Sequence, residues 1–385
     1  MRLWSDRWPL ESLERPPSYE VLGTDTGVQS VLYEGEPYRE RPTRTFAYLG
    51  LPRAAAPPVP GVVCVHGGGG RAFKEWVAIW NARGYAAIAM DLAGKGPDGG
   101  PLPDGGPDQG AAEKFLDPQE HWADHWTYHS VAAILRAHSL LRAQPGVDPA
   151  RVALTGISWG GYLTCIAAGV DDRFVCAAPV YGCGFLQHNS TWTADFAAMT
   201  EAQRRHWQEW CDPSVYLPSV ARPTLFMNGT NDGAYPLDSY RLSYSLVPGP
   251  VTLSVRVRMP HGHPEGWGYR EVEWFVEHHL KGGAPLPRIG DLGREGREVS
   301  APVSGPRPLT GGLLAYTADP RPWTAWRERE WRSVPAAIDG GRVHADLPEG
   351  AAAAFLAVTD DRGAYVSCPH LDRTGAAPQA PHAAV

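Results

Sequence analysis

Five continuous apolar runs, each ending in glycine, are the feature that most constrains how this chain can fold. GVVCVHGGGG comes first, and YAAIAMDLAG, RVALTG, FVCAAPVYG and TLFMNG follow it, with amphipathic stretches between them. A β-branched run without polar alternation is typical of a strand buried on both faces. Because such strands alternate with helices, the pattern predicts an α/β fold, with a mostly parallel sheet and helices on both faces.

The chain is too long for a single core, and its character changes late in the sequence. At 385 residues it exceeds the roughly 250–300 residues at which single cores stop growing. Short β-like runs between Gly, Pro and Asp predict a small C-terminal antiparallel β-sandwich domain over residues 288–370. We further predict an N-terminal extension over 1–45, a catalytic domain over 46–285 with a Trp-rich insertion near 183–219, and a disordered tail over 371–385.

Net charge, apolar runs and cysteine spacing indicate which partners and which cellular location to expect. The formal charge of −7 argues against a surface for nucleic acid or anionic membrane. Neither a signal-peptide run nor the ~20 apolar residues of a membrane span is present, so we expect a cytoplasmic location. The six cysteines form no C-x-x-C pair and mostly stand in apolar segments. They are predicted to be buried free thiols, with a Cys176–Cys183 disulfide as the alternative.

A nucleophile is predicted directly after the strand RVALTG. The segment GISWGGYL fits G-x-S-x-G with Gly156, Ser158 and Gly160. A serine on a sharp strand-to-helix turn sits in strained backbone, and flanking glycines let neighbouring elements approach it. The helix that follows places its N-terminus where negative charge would develop. A turn or N-cap serine is the alternative interpretation.

The glycine run HGGGG at 66–70 predicts an oxyanion hole. It closes a strand that should neighbour the serine turn, so the Gly68 N–H would act together with that of Trp159. A phosphate-binding loop is the alternative for such a run. No G-K-[ST] follows it and no acidic residue is suitably placed for a dinucleotide ribose, which excludes that alternative.

The acid and the base are predicted from later strands. TLFMNGTNDGAYP supplies Asp232, three residues after the strand-ending Gly229, although a structural Asx-turn would use the same residue type. MPHGHPEGW supplies two histidines, and its preceding strand is predicted to end near Met259. We favour His263 as the base because loops of this type run three or four residues past the strand; His261 is the alternative.

Two further patterns concern ligands. His121, His125 and His129 recur at helical spacing, but no carboxylate or cysteine accompanies them, so we predict a surface or packing role and no metal. Tryptophans lie beside the predicted catalytic residues and in the insertion. Trp192 and Trp267 are predicted to line the substrate pocket, because aromatic faces suit sugar rings or flat acyl groups; packing of the insertion is the alternative.

With these residues assembled, the chain resembles an α/β-hydrolase over about residues 45–283. The resemblance rests on VHGGGG, VDPARVALTGISWGGYL, FMNGTNDGAYP and the HGH loop. The elbow is similar to that of the dienelactone hydrolase, acetyl xylan esterase and prolyl-oligopeptidase-like branch, and within it to the acetyl xylan esterase-like and PhoPQ-activated-like serine hydrolases. Some of those also carry a small C-terminal β-domain.

The resemblance implies serine nucleophile chemistry without a cofactor, acting on a small-molecule ester or amide. Dienelactone hydrolases use cysteine where this chain has Ser158, which disfavours that activity. About 45 residues cannot supply the propeller of oligopeptidases. We therefore expect an esterase for short acyl groups or acetylated carbohydrate, with an exopeptidase or amidase and a catalytically silent binding protein as alternatives. A homo-oligomer is compatible with the sequence, and no nucleic-acid or membrane partner is expected.

Overall fold

A computed structural model describes residues 3–53, 56–321 and 327–372. The helices of this part of the chain are α1 (Leu10–Leu13), α2 (Lys74–Ala82), α3 (Ala111–Lys114), α4 (Pro118–His121), α5 (Trp126–Arg142), α6 (Trp159–Val170), α7 (Leu186–Asn189), α8 (Thr193–Ala198), α9 (Glu201–Cys211), α10 (Leu237–Tyr244), α11 (His263–Gly268) and α12 (Arg270–Lys281). Short 3-10 turns span Trp122–Asp124, Pro213–Val215 and Leu217–Ser219.

The strands form two separate sheets. Those of the first are β1 (Tyr19–Asp25), β2 (Val28–Glu34), β3 (Arg44–Gly50), β4 (Val59–Val65), β5 (Ala86–Met90), β6 (Val147–Ile157), β7 (Cys176–Val180), β8 (Thr224–Gly229) and β9 (Val251–Arg256). Those of the second are β10 (Arg288–Ile289), β11 (Gly293–Glu295), β12 (Glu298–Ser304), β13 (Leu309–Thr317), β14 (Arg332–Asp339), β15 (Arg342–Asp346), β16 (Ala353–Asp360), β17 (Tyr365–Ser367) and β18 (Leu371–Asp372).

The first sheet has the order β1-β2-β3-β5-β4-β6-β7-β8-β9. From β5 to β9 every pair is parallel, and from β1 to β5 every pair is antiparallel. The five apolar runs form β4 to β8, and nearly all of their residues are buried. The predicted α/β fold is confirmed. Because parallel strands share a direction, the loops that carry predicted site residues leave the same edge of the sheet.

The N-terminal residues belong to this sheet, so the boundary predicted at residue 45 is wrong. Both β1 and β2 join it through β3, and the side chains of Trp8, Leu10 and Leu13 are buried in its core. The N-terminal segment has a polar sequence because β1 is an exposed edge strand and β2 is only partly buried. Antiparallel edge strands lack the continuous apolar run that marks the sheet centre.

The predicted antiparallel C-terminal domain is confirmed. Its strands follow the order β10-β12-β15-β14-β13-β16-β17, with β11 on β12 and β18 on β16, and every pair is antiparallel. Leu371 and Asp372, placed by the sequence in a disordered tail, pair with the start of β16. The remainder of that predicted tail, residues 373–385, lies outside the described residues.

Side-chain hydrogen bonds join the two domains at the last strand of the first sheet. The Val255 N–H of β9 donates to Ser367 Oγ at 2.9 Å, and the Tyr365 N–H donates to Glu271 Oε1 at 2.9 Å. Arg256 lies over the Tyr365 ring at 4.5 Å. The C-terminal domain therefore packs on β9 and α12 of the hydrolase sheet.

All six cysteines are buried free thiols, as predicted, so the alternative Cys176–Cys183 disulfide is absent. Within the part of the chain that the structure describes, no helix has the length and apolar character needed to cross a membrane.

A buried ion pair fixes the N-terminal strands onto α5 and provides a test of their role. Arg136 Nε donates to Glu36 Oε1 at 3.0 Å, and Tyr128 Oη donates to Glu36 Oε2 at 3.0 Å. Both charged side chains are less than a tenth exposed. Removing one partner would leave the other charge buried without compensation.

We expect Glu36→Ala to lower the free energy of unfolding by about 3–5 kcal/mol, because Arg136 would lose its counter-charge in the interior. Urea unfolding followed by circular dichroism measures the change. Glu20→Ala is the control, since Glu20 pairs with Arg44 in an exposed setting and such pairs contribute under about 1 kcal/mol. Equal losses in the two variants would contradict the integration of the N-terminal strands.

Candidate active site

Ser158 stands on a strained turn between β6 and α6. Its backbone has φ 59° and ψ −121°, a left-handed conformation that is costly for a residue with a Cβ. A Cβ on Gly160 would lie 2.0 Å from the Val65 carbonyl oxygen, and one on Gly156 would lie 2.4 Å from Thr164 Oγ1. The glycines are therefore required for the turn to approach β4 and α6 this closely, as the sequence pattern predicts.

A hydrogen-bonded relay connects Ser158, His261 and Asp232. His261 Nε2 lies 2.9 Å from Ser158 Oγ, and His261 Nδ1 lies 2.6 Å from Asp232 Oδ2. The carboxylate is buried, and its Oδ1 accepts hydrogen bonds from the N–H groups of Ala234 and Tyr235, each at 2.9 Å. Its own turn thus holds the acid in place, Nδ1–H of His261 donates to it, and Nε2 is left to accept the serine proton.

The preference for His263 over His261 as the residue beside Ser158 is wrong. The strand expected to end near Met259 ends at Arg256, so His261 already lies far enough along the loop to reach the serine. His263 instead begins α11, and its Nε2 accepts a hydrogen bond from the Gly67 N–H at 2.9 Å. An error of three residues in the strand end was enough to exchange the two histidines.

The glycine run packs directly against the serine turn. A Cβ on Gly68 would lie 2.8 Å from Trp159 Cδ1, and one on Gly67 would lie 2.9 Å from Ser158 Cβ. The Gly69 N–H donates to Gln109 Oε1 at 3.2 Å, which ties the run to the long Gly/Pro-rich loop after β5. The two residues predicted to form an oxyanion hole, Gly68 and Trp159, are thus brought together next to Ser158.

Aromatic rings surround the relay. Trp192 lies 4.4 Å from the Trp159 ring and 5.4 Å from the Tyr235 ring, measured between centroids. Tyr181 stacks on His261 at 4.3 Å, and its hydroxyl donates to the Gly262 carbonyl, which fixes the loop between the two histidines. Sequence reasoning missed Tyr181 and Tyr235, although each directly follows a recognised element, the strand FVCAAPV and the segment NDGA.

The other tryptophans considered for the pocket pack elsewhere. Trp267 lies 5.2 Å from both Phe73 and Trp76, on the far side of His263 and against α2. Trp207 is buried in the core of the insertion, and Trp210 packs on Trp122. Of the two predicted pocket residues, the structure therefore places Trp192 against Trp159, the residue that follows Ser158, and Trp267 against α2.

A lysine that the sequence analysis did not single out is buried beside the rings of Trp159 and Trp126. Lys114 Nζ lies 4.5 Å from the Trp159 ring centroid and 5.2 Å from that of Trp126. Burial lowers the pKa of Lys114 to about 8, partly opposed by Asp108 and nearby carboxylates. Nothing in its polar segment, GAAEKFLDP, indicates that this ammonium group turns inward.

The three histidines at helical spacing do not share a helix. His121 ends α4, whereas His125 precedes α5 and its Nδ1 accepts from the Thr127 N–H as a cap. His129 Nε2 faces the Ala123 carbonyl at 2.9 Å. His121 is therefore a surface residue, half exposed beside Glu120, whereas His125 and His129 have capping and packing roles. No cluster of three ligating side chains suited to a metal occurs among the residues described.

The turn that carries Asp232 is braced by the C-terminal domain. Asn231 Nδ2 donates to the carbonyl oxygens of Arg327 at 3.0 Å and Arg329 at 2.9 Å. The guanidinium of Arg327 in return donates to the Gly233 carbonyl, with Nε at 3.1 Å. The residues on both sides of the acid are thus hydrogen bonded to the other domain.

The fold and the relay define a class, that of the α/β-hydrolase serine hydrolases. The chain belongs to the prolyl oligopeptidase family, whose model matches residues 72–278 and so includes the serine turn, the acid turn and the histidine loop. No curated protein sequence matches the chain significantly.

Two solved structures share the fold with this chain. An acetyl xylan esterase from a Paenibacillus species is 22% identical and superposes with a TM-score of 0.59, covering 71% of this chain and 92% of its own. Acetyl xylan esterase 1 from a Thermoanaerobacterium species is 16% identical, with a TM-score of 0.57 and coverage of 72% and 93%. At these identities the likeness establishes the architecture.

We expect Asn231→Ala to loosen the acid turn, because two hydrogen bonds to the C-terminal domain are lost. Amide hydrogen exchange in a peptide spanning 228–236 should become about five- to thirtyfold faster, as a loss of about 1–2 kcal/mol from the bonds implies. Gln119→Ala is the control, since it removes the carboxamide of an exposed residue on the short helix α4. Unchanged exchange in Asn231→Ala would contradict the brace.

Proposed function

We propose that this serine hydrolase cleaves carboxylic esters through an acyl-enzyme formed on Ser158. The observation that carries the proposal is the relay in which His261 lies 2.9 Å from the serine and 2.6 Å from Asp232. Such spacing is that of a nucleophile, its general base and the group that orients the base.

In the proposed mechanism, His261 Nε2 takes the proton of Ser158 as Oγ attacks the ester carbonyl carbon. The N–H groups of Gly68 and Trp159 stabilise the oxyanion of the tetrahedral intermediate. The C–O bond to the alcohol then breaks, and the alcohol leaves with the proton from His261. Water attacks the acyl-enzyme with His261 again as base, and the acid is released while Asp232 maintains the imidazole tautomer. Side chains, backbone and water suffice for these steps.

The substrate we propose is a short-chain acyl ester, including acetylated carbohydrate. Ser158 is only 9% exposed. The ring of its neighbour Trp159 packs on the half-buried ring of Trp192, which also contacts Tyr235. A narrow approach favours a small acyl group, and aromatic faces suit the apolar face of a sugar. The two acetyl xylan esterases share the architecture, which is compatible with this substrate class.

An exopeptidase or amidase is the second candidate. The match to the prolyl oligopeptidase family favours it, because the same relay can attack an amide carbonyl.

A catalytically silent binding protein is the third candidate. The intact relay and the strained Ser158 argue against it, since neither is needed to bind a partner.

Hydrolysis of p-nitrophenyl esters from acetate to octanoate tests the proposal. We expect activity that is highest with acetate and falls with chain length, and we expect Ser158→Ala and His261→Ala each to lower kcat by about three orders of magnitude or more. Ser245→Ala, on the exposed end of α10, is the serine control and should retain wild-type rates.

The other outcomes separate the candidates. Activity confined to acyl-amino-acid p-nitroanilides, and lost in Ser158→Ala, would replace the esterase by the amidase. Equal inertness of wild type and Ser158→Ala on both substrate sets would favour the binding protein. Full activity in His261→Ala would contradict its assignment as the base.

A further inference from the structure

Two imidazoles hold the Gly67 residue from opposite sides. The Gly67 N–H donates to His263 Nε2 at 2.9 Å. The Gly67 carbonyl lies 2.7 Å from His66 Nδ1, and His66 Nε2 accepts from the Leu92 N–H at 2.9 Å, so the His66 proton is on Nδ1 and donates to the carbonyl. Both peptide groups that flank the Gly67 Cα are therefore fixed by hydrogen bonds.

This arrangement determines where the next amide points. The carbonyl of Gly67 and the N–H of Gly68 belong to one planar trans peptide, so the contact with His66 sets the direction of the Gly68 N–H. The contact with His263 fixes the preceding peptide and so prevents the Gly67 Cα, which joins the two planes, from swinging away. The peptide also has little room to shift, because a Cβ on Gly67 would lie 2.7 Å from the Ile157 carbonyl oxygen and 2.9 Å from Ser158 Cβ. Whatever holds Gly67 thus also holds the Gly68 N–H relative to the nucleophile.

We propose that His263 is a positioning residue of this hydrolase, whose Nε2 anchors the Gly67 N–H and so keeps the Gly68 N–H aimed at the oxyanion. The inference rests on the proposed function, in which the Gly68 amide stabilises that charge. His263 acts through Gly67, since its Nε2 is occupied by the glycine amide, while His261 contacts the serine. In the HGH segment, His261 thus transfers the proton, and His263 maintains the geometry of the loop that carries the oxyanion donor.

The anchor requires a neutral imidazole, because protonation of Nε2 removes the lone pair that accepts from Gly67. Burial lowers the pKa of His263 to about 4, and the neighbouring His66 and His261 lower it further while Glu265 opposes them. The ring also packs 4.8 Å from Phe73, and the guanidinium of Arg71 lies over the same phenyl ring at 5.8 Å. His263 therefore remains an acceptor at neutral pH and loses that ability on acidification towards pH 4.

Replacing the acceptor while retaining the ring tests the inference. We expect His263→Phe to lower kcat for p-nitrophenyl acetate by about 10–100-fold with KM within about twofold, since a misaimed donor weakens transition-state stabilisation without changing ground-state binding. His263→Gln offers a carbonyl oxygen as acceptor and should recover kcat to within about fivefold of wild type.

His279→Phe is the matched control. His279 is a half-buried histidine on α12, and burial lowers its pKa to about 4 as well, but it lies against Phe275, outside the relay. It should retain wild-type kcat. Equal kcat in wild type and His263→Phe, or a change in KM alone, would overturn the inference while leaving the esterase proposal intact.

Labelling of Ser158 by a fluorophosphonate separates the inference from the choice of substrate, because the probe also develops charge on an oxygen in the same site. The labelling rate constant should fall in His263→Phe and recover in His263→Gln. Equal rates in all three proteins would overturn the inference even if no ester were hydrolysed. Failure of the wild type to label would overturn both the proposed function and the inference.

A pH profile provides a readout that a purely structural role would not change, and it also serves if His263→Phe fails to fold. We expect the ratio of wild-type kcat to His263→Gln kcat to be constant from pH 8 to about pH 5.5 and to fall about twofold by pH 4, where about half of His263 is protonated and only the wild type loses its acceptor. Both proteins retain the relay, so the ratio compares the two groups at position 263. A ratio that stays flat to pH 4 would contradict the anchor.

Discussion

The closeness with which the serine turn approaches its neighbouring strands is the constraint on which the rest of the structure depends. A Cβ on Gly160 would lie 2.0 Å from the Val65 carbonyl oxygen of β4, and one on Gly161 would lie 2.6 Å from the Val180 carbonyl oxygen of β7. Because these contacts are backbone to backbone, they cannot be relieved by turning a side chain. These contacts hold the start of α6 between the ends of β4 and β7. Ser158 therefore lies next to the loops that leave those two strands.

The sequence predicted the centre of the fold and site well because their determinants are local. The glycines around Ser158, the apolar runs and Asp232 after its strand each act within a few residues, so their pattern is visible in the chain. The choice between His261 and His263 depended on where β9 ends, and strand ends are set by hydrogen bonding to a neighbour rather than by composition. The N-terminal strands were missed for a related reason, since only pairing with β3 shows that a polar segment belongs to the sheet.

The site draws on parts of the chain that are far apart in sequence. The insertion contributes Trp192 and the segment after β5 contributes Lys114, whereas the C-terminal domain reaches the acid turn through the backbone at 327 and 329. None of these contacts has a sequence signature, because each is a long-range meeting of side chains or backbone that local propensity does not encode. The nucleophile and the acid can therefore be identified from the sequence, whereas the choice between the two histidines and the shape of the surrounding pocket cannot.

The two ends of the first sheet differ in whether a further strand could be added. At β9 the Val255 N–H is already taken by Ser367 Oγ, and the C-terminal domain covers that side. At the other end, among the residues that the structure describes, β1 pairs with β2 alone, and Tyr19, Val21 and Leu22 are all more than 40% exposed. An open strand edge with apolar side chains is a template for pairing with another chain, and a covered one is not. The two edges of the sheet are therefore not equivalent: another strand could pair with β1, whereas the C-terminal domain blocks pairing at β9.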